Sequence, residues 1–469
     1  MSAEPPSLLI RNAEVGGTRY DVRLGGGRVV EISSGLRPAG EDEVIEAAGG
    51  ALIPGLTDHH IHLFATAADL ASTVCGPPLV RTPDELADAL HDAAPDHQGW
   101  IRGVRYHESV AGPLDAARLD ALRQDVAVRV QHRSGALWML NSRAAEAVGL
   151  DQAEHPGIER DGAGRATGRL WRADDWLRAR LQPQRQAPPP SLRALGQRLL
   201  SYGITSVTDA TPDLTPDTVD AITSAMATGD LPQHVQLLGA PLDTPPRSAG
   251  GPLVGPWKIV LADSALPTFD ELADAVSAAH AVGRPVAVHT VTRESLVLLL
   301  AVLAQTGSLP GDRLEHAALV PSELIAPIRR FGLRVVTQPG FIADRGDDYL
   351  REIPAEDRAD LYRCESLRAA RIPLALSSDA PYGPLDPWAV MSAATTRRTR
   401  AGIILNRGEC LSPLRALGGY LVPARVRPGA PADLVLLRAP MHEVLRRLDA
   451  DLVRLGIVGG RPQRESATL

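Results

Sequence analysis

The sequence predicts an α/β chain: a (β/α)8 barrel joined to a small β-sandwich built from both chain ends. Three observations carry this: glycine-punctuated β segments at each terminus, eight apolar β-rich runs alternating with helical segments between them, and one long interruption after the first run. A length of 469 residues accommodates one large domain or two or three smaller ones.

The first fifty residues alternate apolar and polar positions in short stretches, Ser7 to Arg11, Tyr20 to Leu24 and Arg28 to Ile32, separated by glycines such as Gly25-Gly26-Gly27. They read as short antiparallel strands. The far end repeats the texture in Ala432 to Leu437 and Arg454 to Val458. Residues 1–50 and 408–469 are therefore expected to form the sandwich, and 51–407 the barrel. Barrel strands are expected at 51–57, 204–209, 233–239, 257–262, 285–290, 312–317, 333–338 and 373–378. The helix after the fourth is well marked: Thr268-Phe-Asp-Glu271 is a capping box, Leu272, Val276 and Ala279 share a face, and Gly283 ends it.

Eight strands follow only if residues 65–190 are an insertion after strand one. That stretch opens a helix of its own with the capping box Thr82-Pro-Asp-Glu85 and closes in the proline-rich run Pro183 to Pro190. It holds Trp100, Trp138, Trp171 and Trp176, four of the six tryptophans. Two readings stand side by side, a subdomain with its own core and a lid with aromatic walls.

Composition excludes several function classes. The formal charge of −7 argues against a nucleic-acid or anionic-membrane surface. The longest apolar run, Leu296 to Ala304, is half a membrane span and reads as a buried helix. No charged and apolar leader pattern opens the chain. Cys75, Cys364 and Cys410 form no paired framework, which fits a reducing, cytoplasmic setting. Of 49 basic residues only Lys258 is a lysine, so no Walker A phosphate loop exists.

Strand one ends in Asp58-His-His-Ile-His62, and side chains two apart on a strand face the same way, so His60 and His62 are expected to grip one metal ion together. The fifth, sixth and eighth runs end in His289, His316 and Asp379. Metal-capable side chains at four strand ends, where barrel enzymes keep their active sites, point to a metal centre. Lys258 falls in the fourth run. An amine, unlike a guanidinium, can lose its proton and capture carbon dioxide as a carbamate, a bidentate oxygen ligand. Lys258 sits near the start of that run, so either the strand begins around Leu253 or the ligand role fails.

The order Pro54-Gly-Leu-Thr-Asp-His-His-Ile-His62, then Lys258, His289, His316 and Asp379, resembles the metal-dependent amidohydrolase superfamily. Ser134-Gly135 with Asn141-Ser142, Gly164 to Gly168, Arg313-Leu-Glu-His316, Gln338-Pro339 and Ser378 to Pro381 resemble the branch holding N-substituted formamide deformylases, amidohydrolase family 3. The resemblance spans nearly the whole chain. It implies hydrolysis of a non-peptide carbon–nitrogen bond in a small molecule by metal-activated water, with Asp379 as general base and then acid. His60, His62 and Asp379 would hold one divalent ion, zinc; His289 and His316 would hold a second, bridged by an N6-carboxylated Lys258. With an unmodified lysine a single ion remains an alternative. Asp58 would support the histidines from behind. Many relatives carry histidine after the Ser-Gly where Ala136 stands here, so their substrates do not transfer. Tyr106, His107, Glu108, His132 and Trp138 are the candidate substrate-pocket residues.

Hydrolysis of amides, N-acyl and N-formyl compounds or cyclic amides, and deamination of a heterocycle, all suit such a site. Two rivals differ in class: a Schiff-base lyase using Lys258, and a scaffold that kept the fold without catalysis.

Overall fold

A computed structural model of the chain describes residues 7–463 apart from 41, 78, 97, 182–188, 246–249, 263–264 and 422–424. Most of the proline-rich run expected to close the insertion lies outside the described residues.

The chain ends form two four-stranded sheets. One runs in the order Arg28–Ser33, Thr18–Gly25, Leu8–Val15, Glu43–Glu46; the other runs Arg461–Gln463, Val453–Val458, Leu434–Leu437, Leu52–Pro54. Leu8, Val22, Ile45, Leu434 and Ile457 meet in one apolar cluster that both sheets supply. One pairing departs from expectation: Glu43–Glu46 runs parallel to Leu8–Val15, with Leu8 opposite Glu43. Antiparallel neighbours need only a tight turn, whereas residues 34–42 carry the chain back to the starting end before it pairs.

The expected strand 51–57 is also two strands. Leu52–Pro54 pairs with Leu434–Leu437, and β1 (Leu56–Ile61) enters the central layer. Gly55 marks the change of partner. A Cβ there would lie 1.9 Å from Thr205 Oγ1, so only glycine admits the crossing.

The central layer consists of parallel strands in two arcs. The first is ordered Leu253–Val254, β3 (His234–Leu237), β2 (Ile204–Asp209), β1. The second is ordered β4 (Trp257–Val260), β5 (Val286–Thr290), β6 (Arg313–His316), β7 (Arg334–Thr337), β8 (Leu374–Leu376). Backbone hydrogen bonds join the arcs at both seams: Lys258 N–H donates to Leu238 O at 3.0 Å, Asp379 N–H to His60 O at 2.8 Å, and His62 N–H to Ala380 O at 2.9 Å.

Alternation sorts the second arc into two faces. Val286, Val288, Leu314 and Val335 pack outward against Leu272 and Val276 of helix Phe269–Ala281 and Leu296, Leu299 and Leu303 of helix Arg293–Thr306. Each such side chain removed from water is worth about 1.5–3 kcal/mol. The Thr268/Glu271 capping box forms, and Gly283 follows the helix at φ +72°. Lys258, Ala287, His289, Arg313 and Glu315 occupy the opposite face by the same alternation.

The chain divides into two compact units, Met1–Thr66 with Ser191–Leu469 and Ala67–Pro190. The second contains a six-stranded sheet and two apolar clusters. Its first long helix, Pro83–Asp92, carries the Thr82/Glu85 capping box with proline at the first helical position. Trp138 is buried in one cluster with Trp100 and Trp176 packed against it, whereas Trp171 is exposed. Among the described residues no helix is long and apolar enough to cross a membrane.

Candidate metal centre

The carboxyl ends of β1, β5, β6 and β8 bring four histidines and one aspartate together. His60 and His62, two residues apart, face each other edge to face with ring centroids 5.4 Å apart. The His316 ring lies 4.7 Å from that of His60 and 4.4 Å from that of His289. Asp379 completes the group: its Oδ1 is 3.4 Å from His60 Nε2 and 3.3 Å from His62 Nε2, and its Oδ2 is 3.7 Å from His316 Nδ1. His60, His316 and Asp379 each offer a ligand atom within 4.8 Å of the others.

Two of these residues are aimed by left-handed backbone. Alternation along β6 would send His316 outward beside Leu314, but φ is +68° at His316 and +46° at Ala317, which turns the ring into the site. Asp379 has φ +53°. Such conformations cost of order 1–3 kcal/mol and cluster at functional positions.

The imidazoles are oriented by groups the sequence alone did not single out for that task. His60 Nδ1 donates to the fully buried Glu315 carboxylate, which also receives Arg313 Nε and, at 3.0 Å, Arg313 Nη2. Arg313 Nη2 also donates to His59 O at 2.6 Å. Gln338 Oε1 lies 3.0 Å from His316 Nδ1, and Thr211 Oγ1 lies 3.2 Å from His62 Nδ1. A carboxylate on the far ring nitrogen fixes the tautomer that leaves Nε2 with its lone pair. The sequence marked Glu315 and Gln338 only as members of the stretches Arg313 to His316 and Gln338-Pro339, without giving either a role. Asp58, expected behind the histidine rings, instead accepts from backbone: the His60 and Ser378 amides, each at 3.2 Å. It clamps β1 to the end of β8, and burial raises its carboxyl to about 6.

The electrostatics favour neutral rings at His60, His289 and His316 and a charged carboxylate at Asp379. Burial, with Lys258 adding to it, pulls His60 well below the ordinary histidine value. Burial and the neighbouring His316 bring His289 down to about 3. Burial likewise lowers His316. It works against ionised Asp379, but His60, His62 and His316 hold that carboxyl well below the usual carboxylate range. Glu315 is also held low against its burial, by Arg313 and His60.

Lys258 is the second residue of β4 and is 5% exposed. The stretch around Leu253 is a separate strand, so β4 does not begin earlier, but the alternative set by strand position was too narrow: Lys258 is buried on the face shared with His289 and Glu315, within reach of the charges of Glu315 and Asp379. Burial lowers the Lys258 ammonium, while Glu315 and Asp379 pull the other way.

The donor set fits a divalent ion. His60 Nε2 and Asp379 Oδ1 are both buried, and neither has a hydrogen-bond partner. Orphaned buried polar atoms are costly unless something accepts them, and imidazole with carboxylate is the ligand chemistry of zinc and its neighbours.

The expected pocket residues divide. Tyr106 is buried and its hydroxyl donates to Gly112 O; buried Trp138 donates Nε1–H to Asp174 Oδ1 at 2.9 Å. Both serve the core of the Ala67–Pro190 unit. His107, Glu108 and His132 gather as a separate partly exposed group.

A family profile described as "Amidohydrolase family" matches residues 43–463. N-substituted formamide deformylase of Arthrobacter pascens is 24% identical over 501 aligned positions, covering 92% of this chain and 90% of that one. A metal-dependent hydrolase from Pyrococcus horikoshii OT3 superposes with a TM-score of 0.75 at 18% identity, over 98% of this chain and all of the other. A second, from Pyrococcus furiosus, gives 0.70 at 18% identity, over 92% and 98%.

Proposed function

The chain belongs to the amidohydrolase family, and from that premise we propose that the strand-end cluster is its active site, acting on an amide, N-acyl or N-formyl small molecule. It is an enzyme that hydrolyses carbon–nitrogen bonds. In this reading β1–β8 of the two arcs are one eight-stranded barrel, joined at the seams by the Lys258, His62 and Asp379 backbone bonds, with Leu253–Val254 an extra short strand beside β3, and the two terminal sheets are a β-sandwich. The observation that carries the reading is the orphaned pair His60 Nε2 and Asp379 Oδ1 set beside the rings of His62 and His316. Full-length similarity to a deformylase of N-substituted formamides favours acyl–nitrogen cleavage over deamination.

His60, His62 and Asp379 would hold one divalent ion, zinc; His289 and His316 would hold a second, with carboxylated Lys258 shared between them. Such an ion supplies a Lewis acid for the substrate carbonyl and lowers the pKa of water toward neutrality. The chain's own groups do the rest. Asp379 is ionised, so a carboxylate oxygen accepts the proton of the attacking water and returns it to the departing nitrogen. Glu315, Gln338 and Thr211 keep the rings of His60, His316 and His62 from rotating. For the carbamate, the neutral Lys258 amine adds to the carbon of carbon dioxide, a nitrogen–carbon bond forms, and one proton leaves to solvent.

The test is metal content and activity of wild type and Lys258→Ala, with and without bicarbonate and a short carboxylic acid. A strand-end site of about two ions predicts that Lys258→Ala loses one or more, with partial rescue of activity by the acid. No other lysine can substitute. Unchanged metal content and activity in the variant would falsify the carbamate and leave a single-ion hydrolase. Activity untouched by chelators would sink the metal reading itself.

A further inference from the structure

The unit Ala67–Pro190 holds a second cluster of ligand-type side chains, made wholly of its own residues. Strands Trp100–Tyr106 and Ala127–His132 run parallel as neighbours, with Tyr106 opposite His132. His107 and Glu108 follow directly on the first strand, so both imidazoles emerge at adjacent strand ends. Their ring centroids are 6.0 Å apart at 33°. His107, Glu108 and His132 each present one ligand atom within 4.8 Å of the other two. We propose that these three residues bind a divalent transition-metal ion, zinc or a close neighbour, at a site independent of the strand-end centre.

Both histidines are held in the same way. A serine two residues on puts its hydroxyl against Nδ1, Ser109 Oγ at 2.8 Å from His107 and Ser134 Oγ at 2.7 Å from His132. The Ser109 and Ser134 amides donate to the same nitrogens at 3.2 and 3.1 Å. Each ring is thereby oriented through Nδ1, which by accepting an amide N–H places the ring proton on Nε2. His132 Nε2 donates to Glu108 Oε2 at 3.0 Å. A ligating histidine is usually held by donating its other ring N–H, and the Ser109 and Ser134 hydroxyls stand where a donation from Nδ1 would be accepted.

Two imidazoles and a carboxylate are the protein ligands of many open zinc sites, with a fourth position left for water. The same set favours cobalt, nickel and copper over magnesium or calcium. Ion uptake is balanced within the cluster. The Nε2 protons of His107 and His132 move to Nδ1, where Ser109 Oγ and Ser134 Oγ accept them and the two serine amides give up that acceptor, and the freed Nε2 lone pairs bind the ion with Glu108 Oε2. Side-chain exposures of 16% at His132 and 40% at Glu108 let an ion enter from solvent.

The experiment is equilibrium dialysis of the metal-free full chain against zinc, with metal counted per chain. Wild type is compared with His132→Gln, Glu108→Gln, Ser134→Ala and the doubly substituted His60→Asn/His62→Asn chain. His132→Gln and Glu108→Gln should each bind one zinc fewer than wild type. Ser134→Ala keeps all three ligands and should bind roughly 10–100-fold more weakly at that site. The His60→Asn/His62→Asn chain should retain the zinc that His132→Gln removes, which separates this site from the proposed active centre. Binding by His132→Gln and Ser134→Ala that equals wild type in number and affinity overturns the proposal, whatever the strand-end variants do. Ser134→Ala keeps the test decisive should a ligand variant fail to fold.

Discussion

Replacing Glu315 by glutamine removes a charge while keeping the shape, and its cost follows from the bonds counted at that carboxylate. Three donors converge on two buried oxygens: His60 Nδ1 and Arg313 Nη2 on Oε2, and Arg313 Nε on Oε1. Glutamine offers one acceptor oxygen. Its better orientation keeps the oxygen toward His60 and turns the amide NH2 against Arg313 Nε. One charge-assisted bond then becomes a donor facing a donor, and Arg313, 5% exposed, loses its carboxylate. Breaking one side of a buried ion pair costs about 3–5 kcal/mol. Denaturant unfolding of the metal-free protein should therefore show Glu315→Gln less stable by about 3 kcal/mol or more. Loss of the negative charge to which His60 Nδ1 donates should also weaken zinc binding roughly 10–100-fold in a chelator competition. The double replacement Arg313→Met/Glu315→Leu should recover part of the stability but none of the zinc affinity, because it removes the stranded charge and not the loose ring. A Glu315→Gln chain within about 1 kcal/mol of wild type, binding zinc as tightly, would refute the assignment of Glu315 as the residue that sets His60.

Two further expectations concern groups away from the centre. Arg397 is fully buried, takes φ +48°, and donates to the carbonyls of Leu405, Leu361 and Tyr362 at 2.7, 2.8 and 2.9 Å. Arg397→Met should cost about 3 kcal/mol or more in thermal or denaturant unfolding by leaving three carbonyls without that donor, and a loss under about 1 kcal/mol would contradict it. Burial raises the phenols of Tyr349, Tyr362 and Tyr420. An acid whose folded value is raised stabilises the fold below its unfolded value of about 10, and that contribution is lost as pH rises beyond it. Absorbance at tyrosinate wavelengths should then lag in the native protein and rise together with unfolding. Seven tyrosines ionising reversibly near pH 10 with the circular dichroism intact would sink this reading.

That His60 and His62 would meet was legible because strand backbone converts spacing into facing. The two share a side for that reason, and the capping boxes at Thr82 and Thr268 were visible because a cap is a contact within four residues. Strand one was misplaced because the apolar run Ala51-Leu-Ile-Pro-Gly-Leu56 passes without a break from Leu52–Pro54 into the start of Leu56–Ile61. Their partners, 380 or more residues away for one and about 150 for the other, are what divide them at Gly55.

The roles of Glu315, Gln338 and Thr211 arise from three different strand ends meeting, and neither composition nor periodicity carries that adjacency. His316 is the sharpest case. The sequence by itself determined that a histidine stands at the end of β6 and that an aspartate follows β8. Only the tertiary structure decided that His316 turns inward, against the alternation that buries Leu314 outside, because a left-handed backbone at two successive residues is tolerated only where the surrounding strands enforce it. The sole lysine follows the same division. Its uniqueness is a property of composition, but its burial beside the charges of Glu315 and Asp379 belongs to the packed arcs, where local sequence no longer determines what a side chain meets.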